Sequence, residues 1–304
     1  MFKSISSDIK REFRYGNMVT RLILINIGVF VAINIVKLIL NGLNAGETSP
    51  IFLKILYGLS ISDDWWHNLT HPWVIFTSMF LHEGFWHILW NMLFLYWFGR
   101  IIGDFIGDNK IFPLYLMGGL AGSLGFFAAA NLLPMFTASS YFAMGASGAV
   151  MAIVMAAGVL APDYQMRLLL IGLVKLKYIV AAIIFIDIIS IANNINTGGH
   201  FAHLGGVAFG WYFIYSLRQG VDLSKPVNGA IDSFLDWLSS ENKPKRAKLR
   251  TVRGGKKSES QNPPIRSASL QEKVDEILDK IRESGYESLT EEEKETLFQA
   301  SKKD

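Results

Sequence analysis

Long uncharged apolar blocks, broken by short connections, set the pattern of this chain. Residues 22–36, 84–99 and 201–217 carry no charge, and neither does the long stretch 111–162. A helix crosses the hydrocarbon core of a bilayer with about 20 apolar residues. The stretch 111–162 therefore holds two crossings joined by an uncharged connection. The pattern predicts six spans, at about 19–40, 84–103, 111–132, 146–162, 178–193 and 201–218. The fourth and fifth are short, and the fourth has apolar sequence to extend into 166–172. The expected fold class is an all-α polytopic membrane protein.

Composition agrees with that class. Of 304 residues, 51% are apolar, and mean hydropathy is +0.29. Cysteine is absent, which removes disulfides, thiolate nucleophiles and cysteine-based metal sites. The net charge of +3 says less than its distribution. Lys3, Lys10, Arg11, Arg14 and Arg21 precede or open the first block, and Arg100 and Lys110 follow the second. Arg167, Lys175 and Lys177 follow the fourth, and Arg218 and Lys225 the sixth. The alternate connections are poor in positive charge: 41–83 has only Lys54, while 133–145 and 194–200 have none. Lys and Arg in short loops stay cytoplasmic, so both termini are expected in the cytoplasm. The first block follows a basic stretch as a signal peptide would. It is long, however, and no small-x-small site closes it cleanly, so it reads as a retained span.

The connection 41–83 is too long for a simple turn. It carries Trp65, Trp66 and Trp73 and an apolar run at 51–59, features of a segment lying on or dipping into the outer leaflet. After about residue 238 the character changes. Residues 243–257 are basic and lack a hydrophobic face, which suits either an anionic lipid surface or a solvated linker. A small helical module follows. Ser269 with Glu272 and Thr290 with Glu293 fit capping boxes. Val274, Ile277, Leu278 and Ile281 form a helical stripe, and Gly285 suits a helix stop. The expected division is an N-terminal segment 1–18, a six-span domain 19–218, a basic linker 219–268 and a cytoplasmic helical module 269–304.

Candidate chemistry sits within the apolar blocks. His87 and Asn91 are four apart and share one helix face. They are either donors aimed at a developing oxyanion or hydrogen-bonding glue between helices. Gly145-Ala146-Ser147-Gly148 opens the fourth span, where free backbone N–H groups can bind an anion. Small-residue runs are also ordinary packing faces, as at Gly118, Gly119, Gly122 and Gly125. His203 opens the sixth span, ahead of a G-x-x-x-G face at Gly206 and Gly210. The alternating topology brings Ser147, His203, His87 and Asn91 to similar depth near the outer face. That convergence favours an enzyme over a packing motif.

H-x-x-x-N in the second span, G-x-S-G at the fourth and A-H-x-x-G-x-x-x-G in the sixth resemble the rhomboid intramembrane serine proteases. The resemblance covers roughly residues 19–218, with the motifs in the family's order. It implies a six-transmembrane-helix rhomboid-like bundle, with Ser147 as nucleophile and His203 as general base of a dyad. It further implies an oxyanion hole from His87, Asn91 and the Ser147 backbone N–H. The connection containing Trp73 looks like the family's membrane-embedded first loop. Two positions depart from the family pattern. Met151 stands where some rhomboids have a tyrosine stacked on the base, and Val74 follows Trp73 where an arginine is frequent.

Such a dyad needs no carboxylate, since a neutral His–Ser pair is cheaper to bury than one with a charge. Asp187, the acid at membrane depth, reads as a structural hydrogen-bonding or cavity residue. Trp73, Met151 and His82 are candidates for gating or substrate contact, His82 by lining a water opening, and Gly145 and Gly148 for leaving room for a substrate backbone. His200, His67 and His71 read as bystanders, and no zinc pattern of the H-E-x-x-H type is present.

The expected function is an intramembrane endopeptidase cleaving transmembrane segments of other proteins near the outer face. Its partners are those substrates and the lipid bilayer, not nucleic acid, and it needs no metal or organic cofactor. The expected location is a bacterial cytoplasmic (inner) membrane. The alternatives are a non-catalytic rhomboid-like binding or chaperone factor, against which the four intact site residues argue, and a small transporter or channel. The latter lacks support from any internal repeat or set of intramembrane charges.

Overall fold

The computed structural model describes residues 7, 9–13, 16–136, 140–193, 196–239, 274, 276–281, 285 and 288–301. The basic run 243–257 and the Ser269–Glu272 pair lie outside them. The chain divides into two compact units, Met1–Lys243 and Pro244–Asp304.

The first unit begins with α1 (Met18–Leu43), capped by Asn17, whose side chain accepts the Thr20 N–H at 2.9 Å. Three short helices follow: α2 (Pro50–Tyr57), α3 (Trp65–Thr70) and α4 (Val74–Thr77), with strand β1 (Ile61–Ser62) after α2 and a 3₁₀ turn at Ser78–Phe80. The bundle continues through α5 (Phe85–Ile106), α6 (Ile111–Leu132), strand β2 (Phe142–Ala143) and α7 (Ser147–Leu160). A hairpin of β3 (Gln165–Leu168) and β4 (Gly172–Lys175) leads into α8 (Leu176–Ala192), α9 (Thr197–Arg218) and α10 (Ser224–Ser239). The helices α1, α5, α6, α7, α8 and α9 fall within four residues of the six segments predicted from hydropathy. Among the described residues, 18–43 and 108–132 are long and apolar enough by composition to cross a membrane.

The sequence offered 166–172 as an extension of the fourth helix, and the structure corrects this. Ala161 leaves helical geometry at φ −130°, ψ 64° ahead of Pro162, because the proline ring disfavours the helical conformation of the residue before it. The chain then turns back on itself, pairing Gln165 with Lys175 and Leu168 with Gly172. Leu169 and Leu170 at the hairpin tip are almost fully exposed.

Helix α7 is the hub. From Gly148 to Gly158 all its residues except Met155 are buried. It packs against α6 and α9 through glycines that bring backbones together. A Cβ at Gly206 would stand 2.0 Å from the Gly148 carbonyl oxygen, and one at Gly210 2.1 Å from that of Ala152. Gly118 faces the Ala152 methyl in the same way, and Gly205 the Ala121 carbonyl. Lipid tails are as apolar as leucine, so helices in a membrane gain by close packing rather than by the hydrophobic effect. A buried polar chain joins α1 to α6: Asn26 Nδ2 donates to Tyr115 Oη at 3.2 Å, and Tyr115 Oη donates to the Met79 carbonyl at 3.0 Å.

The long connection 41–83 is held by side chains gripping backbone. Asn68 donates to the Ser62 carbonyl at 2.7 Å and accepts its N–H at 2.9 Å. Strand β1 pairs antiparallel with β2, Ile61 opposite Ala143, so this connection is sewn to the loop ahead of Ser147. Its Trp65, Trp66, Trp73 and Phe76 side chains are exposed, as expected of aromatics at a bilayer interface.

At the other end, Lys110 Nζ donates to Asp222 at 2.5 Å and to Ser224 Oγ at 3.0 Å. Burial pushes the Asp222 carboxyl up, but the Lys110 and Ser224 hydrogen bonds outweigh it and hold the group at about 2.

In the second unit, residues 276–281 are helical, and Gly285, at φ +79°, donates its N–H to the Ile281 carbonyl at 2.9 Å. Helix α11 (Glu291–Ser301) starts with the expected reciprocal box. The Thr290 N–H donates to Glu293 at 2.7 Å, and the Glu293 N–H to Thr290 Oγ1 at 3.4 Å. Ile277 and Leu289 are buried, while Leu278 of the predicted stripe is exposed.

Gly206→Ala forces α7 and α9 apart and is expected to cost about 2–4 kcal/mol, within the range for overpacking of a tight contact. Gly28→Ala, whose Cβ meets nothing within 4 Å, is expected to stay within about 1 kcal/mol of wild type. Thermal unfolding in detergent compares the two. The Asp222 contribution follows the opposite sign to a base. Its folded carboxyl lies below its unfolded range near 3.9, so the stabilisation is full above that range and is lost as pH falls through about 2. Melting curves between pH 6 and 2 should show a steeper acid decline for wild type than for Asp222→Asn.

Candidate active site

Helix α7 places Ser147 at its first residue, directly after a turn that only glycine suits. Gly145 has φ +134°, in the region that favours glycine. A Cβ there would lie 2.8 Å from both Cε1 and Nε2 of His87. The His87 imidazole therefore rests on the Gly145 backbone, two residues from the serine. The turn is fixed from below by the Gly145 N–H, which donates to the Ser78 carbonyl at 2.8 Å. The first N–H groups of a helix have no intrahelical acceptor, so the start of α7 offers donors beside Ser147 Oγ.

A cavity of about 780 Å³ opens between α5, α7, α8 and α9. Ser147, His203, His87, Asn91 and Met151 all line it, with Trp86, Trp90 and Phe94 forming an apolar wall. Four residues read from three separate sequence motifs thus meet around one space. Gly148 lies under the serine, its Cα packed against Gly122. Asn91 is buried, and its Nδ2 donates to the His87 carbonyl one turn earlier at 2.8 Å. This bond is to its own helix and not to a neighbour, and it uses one of two amide hydrogens. Met151 is buried one turn below Ser147.

Two gating candidates sit elsewhere. His82 is buried rather than lining an opening. Its ring packs edge-on against His87 at 5.1 Å, and its Nε2 accepts a long 3.5 Å hydrogen bond from the Ala146 N–H. It supports His87 and the serine turn from behind. Trp73 is half exposed on the long connection, where its indole N–H donates to the Gly58 carbonyl at 2.8 Å. It is not part of the cavity wall.

The structure brings two further residues to His203: Asp187, expected as a hydrogen-bonding or cavity residue, and His200, expected as a bystander. Asp187 on α8 is buried, and its Oδ1 lies 2.9 Å from His203 Nδ1 and 2.5 Å from His200 Nδ1. The sequence signal was available: a lone acid in an apolar helix needs partners, and His200 and His203 share a helix face at i, i+3. What the sequence lacked was the facing of α8 toward α9. The three groups are close enough in space to suggest a cation, but their spacing fits hydrogen bonds better. Two atoms bound to one tetrahedral zinc at about 2.0–2.1 Å stand about 3.3 Å apart, farther than either contact here.

The Rhomboid domain family matches residues 69–220, and a family of unknown function, DUF6576, matches residues 266–303. Among known proteins, the chain is 28% identical over 164 residues to a rhomboid protease candidate of Bacillus subtilis, YdcA, covering 54% of this chain and 73% of that protein. It is 27% identical over 188 residues to rhomboid protease GluP of the same species, covering 60% of this chain and 33% of GluP. It is 27% identical over 141 residues to the mitochondrial presenilin-associated rhomboid-like protein A of Danio rerio, covering 45% of this chain and 36% of that protein. The first match spans most of its relative, and the other two about a third. With half its length matched by the domain family, and with the helices that carry the serine, histidine and asparagine motifs gathered around one cavity, the chain is an all-α integral membrane protein of the rhomboid family.

Proposed function

We propose that this protein is a serine-type intramembrane endopeptidase that cuts transmembrane segments of other membrane proteins. The observation that carries the proposal is the shared cavity: Ser147 and His203 line it together with His87 and Asn91. In this reading Ser147 Oγ adds to the scissile carbonyl carbon as His203 Nε2 takes its proton. The resulting oxyanion is held by donors from His87, Asn91 and the start of α7. Collapse of the adduct releases the amine, which takes the proton from His203, and leaves an acyl-enzyme that water hydrolyses by the reverse steps. The protease names of the Bacillus subtilis relatives support the reaction class.

The proposed topology has six spans, α1, α5, α6, α7, α8 and α9, with both termini on the cytoplasmic side of a bacterial cytoplasmic membrane. The Lys and Arg distribution supports it. Helix α7 has 14 residues, about 21 Å at 1.5 Å per residue. That is shorter than the hydrocarbon core of about 30 Å, so at least one end lies inside the core, and in the proposed topology that end is the one that carries Ser147. A substrate helix must unwind to expose a carbonyl, which favours cleavage near small or helix-breaking residues. Met151 and the apolar wall of Trp86, Trp90 and Phe94 are the proposed contacts for the substrate chain, and Gly145 and Gly148 leave space for its backbone. The rival, a rhomboid-like factor that binds membrane segments without cutting them, shares the fold and differs in the outcome of one test.

Purified wild-type protein should cleave a labelled transmembrane substrate in liposomes, and Ser147→Ala should bind it without cleaving. A serine-directed fluorophosphonate should label Ser147, with labelling lost in His203→Ala. Equal cleavage by wild type and Ser147→Ala removes the nucleophile assignment, and binding without cleavage by wild type favours the rival. Gly145→Ala, which displaces His87, should lower kcat about 10²–10³-fold, the loss typical of one oxyanion donor, as measured by the same assay.

A further inference from the structure

Asp187 has no role in a two-residue Ser–His mechanism, yet it sits behind the proposed base. It is 5% exposed, on the α8 face turned to α9, and a single oxygen of it contacts the Nδ1 atoms of both His203 and His200. Its other oxygen is buried with no hydrogen-bond partner among the described residues. Burying a carboxylate in a membrane helix is costly, and the two imidazoles are what it engages.

The geometry limits the proton positions. An ionised carboxylate only accepts hydrogen bonds. A protonated Oδ1 could donate to one imidazole at most, whereas an ionised Oδ1 accepts from both. With both Nδ1 atoms in contact with the one oxygen, the arrangement that makes both contacts hydrogen bonds to an ionised carboxylate is Nδ1–H on His203 and on His200, each donating to Asp187 Oδ1. In neutral imidazole the second nitrogen is then an acceptor. That leaves Nε2 of His203 unprotonated, the form a general base requires.

We infer that Asp187 is a positioning residue that fixes the His203 tautomer and ring orientation, with His200 as a second donor steadying the carboxylate. The site then works as a serine–histidine–aspartate relay of positions, although its motifs match a family read as using a dyad. This deepens the proposed protease reading and rests on it. When Ser147 gives up its proton, the imidazolium forms against the Asp187 oxygen, which stabilises the charge without taking the proton. The other ionisable groups near His203 are His200 on its own helix and His87 on α5, with Glu83 and His82 beyond His87. Helices α6 and α7 contribute no charged or histidine side chain. Asp187 is therefore the one described acid that contacts the base.

The test uses the full-length protein in detergent and liposomes. Asp187→Asn is expected to lower kcat by at least about 10-fold, and by as much as the roughly 10⁴-fold seen when the aspartate of a serine-protease triad becomes asparagine. KM for the transmembrane substrate should change little. The acidic limb of the kcat/KM profile should move to lower pH, because the imidazolium loses its counter-charge, and Asp187→Glu should recover part of the rate. A purely structural role would lower stability or raise KM without moving the limb. In a His203→Ala background, Asp187→Asn should cause no further loss of residual cleavage.

A second measurement does not depend on the variant folding. In ¹⁵N-histidine spectra of wild-type protein, the resonance lost in His203→Ala should report the Nδ1–H tautomer. The Nε2–H tautomer overturns the inference, as does a folded Asp187→Asn with wild-type kcat and an unmoved pH profile. Wild-type protein that neither cleaves substrate nor takes fluorophosphonate at Ser147 overturns the protease reading instead, and leaves the tautomer measurement standing.

Discussion

The backbone contact between α7 and α9 is the constraint on which the rest of this protein depends. Gly206 and Gly210 let α9 lie directly on the carbonyls of Gly148 and Ala152. Within lipid, helices associate by dispersion and close packing, and side chains between them would hold the axes apart. Ser147 is one residue from this contact on α7, and His203 is three residues from it on α9. Their separation is therefore set by glycine backbone rather than by flexible side chains. The same logic places α6 against both, through Gly118, Gly122 and Gly205.

A polar site in an apolar bundle must satisfy its own hydrogen bonds. Here each polar group leans on a neighbour or on backbone: Asn91 on the His87 carbonyl, Gly145 on the Ser78 carbonyl, His203 and His200 on Asp187. The long connection contributes from outside, since β1 pairs with the strand that leads into the serine turn. Under the proposed function, ordering the turn in this way reduces what must be ordered when a peptide binds.

Much of this was legible in the sequence because its elements obey one-dimensional rules. Uncharged length gave the helices to within a few residues, and capping chemistry gave the Thr290–Glu293 start of α11. The motif residues Ser147, His203, His87 and Asn91 were identifiable, and they do line one cavity. The hairpin at 165–175 was not legible, because an apolar run of that length suits a strand or a helix. His82 carried the right chemistry for gating, but its partners Ala146 and His87 lie on other elements, and Trp73 is tied to Gly58 within the same connection, so no local pattern encodes either contact.

Asp187 marks the division most clearly. The sequence by itself determined which residues could do chemistry and which helices carry them, since uncharged apolar length marks out the helices. Only the tertiary structure decided which of those residues face each other. The rotation of α8 about its axis depends on packing against α7 and α9, and a helix as uniformly apolar as this one carries no polar stripe to announce it. Its single buried acid is oriented by the two histidines across the interface, so its partners became visible only when the two helices were brought together.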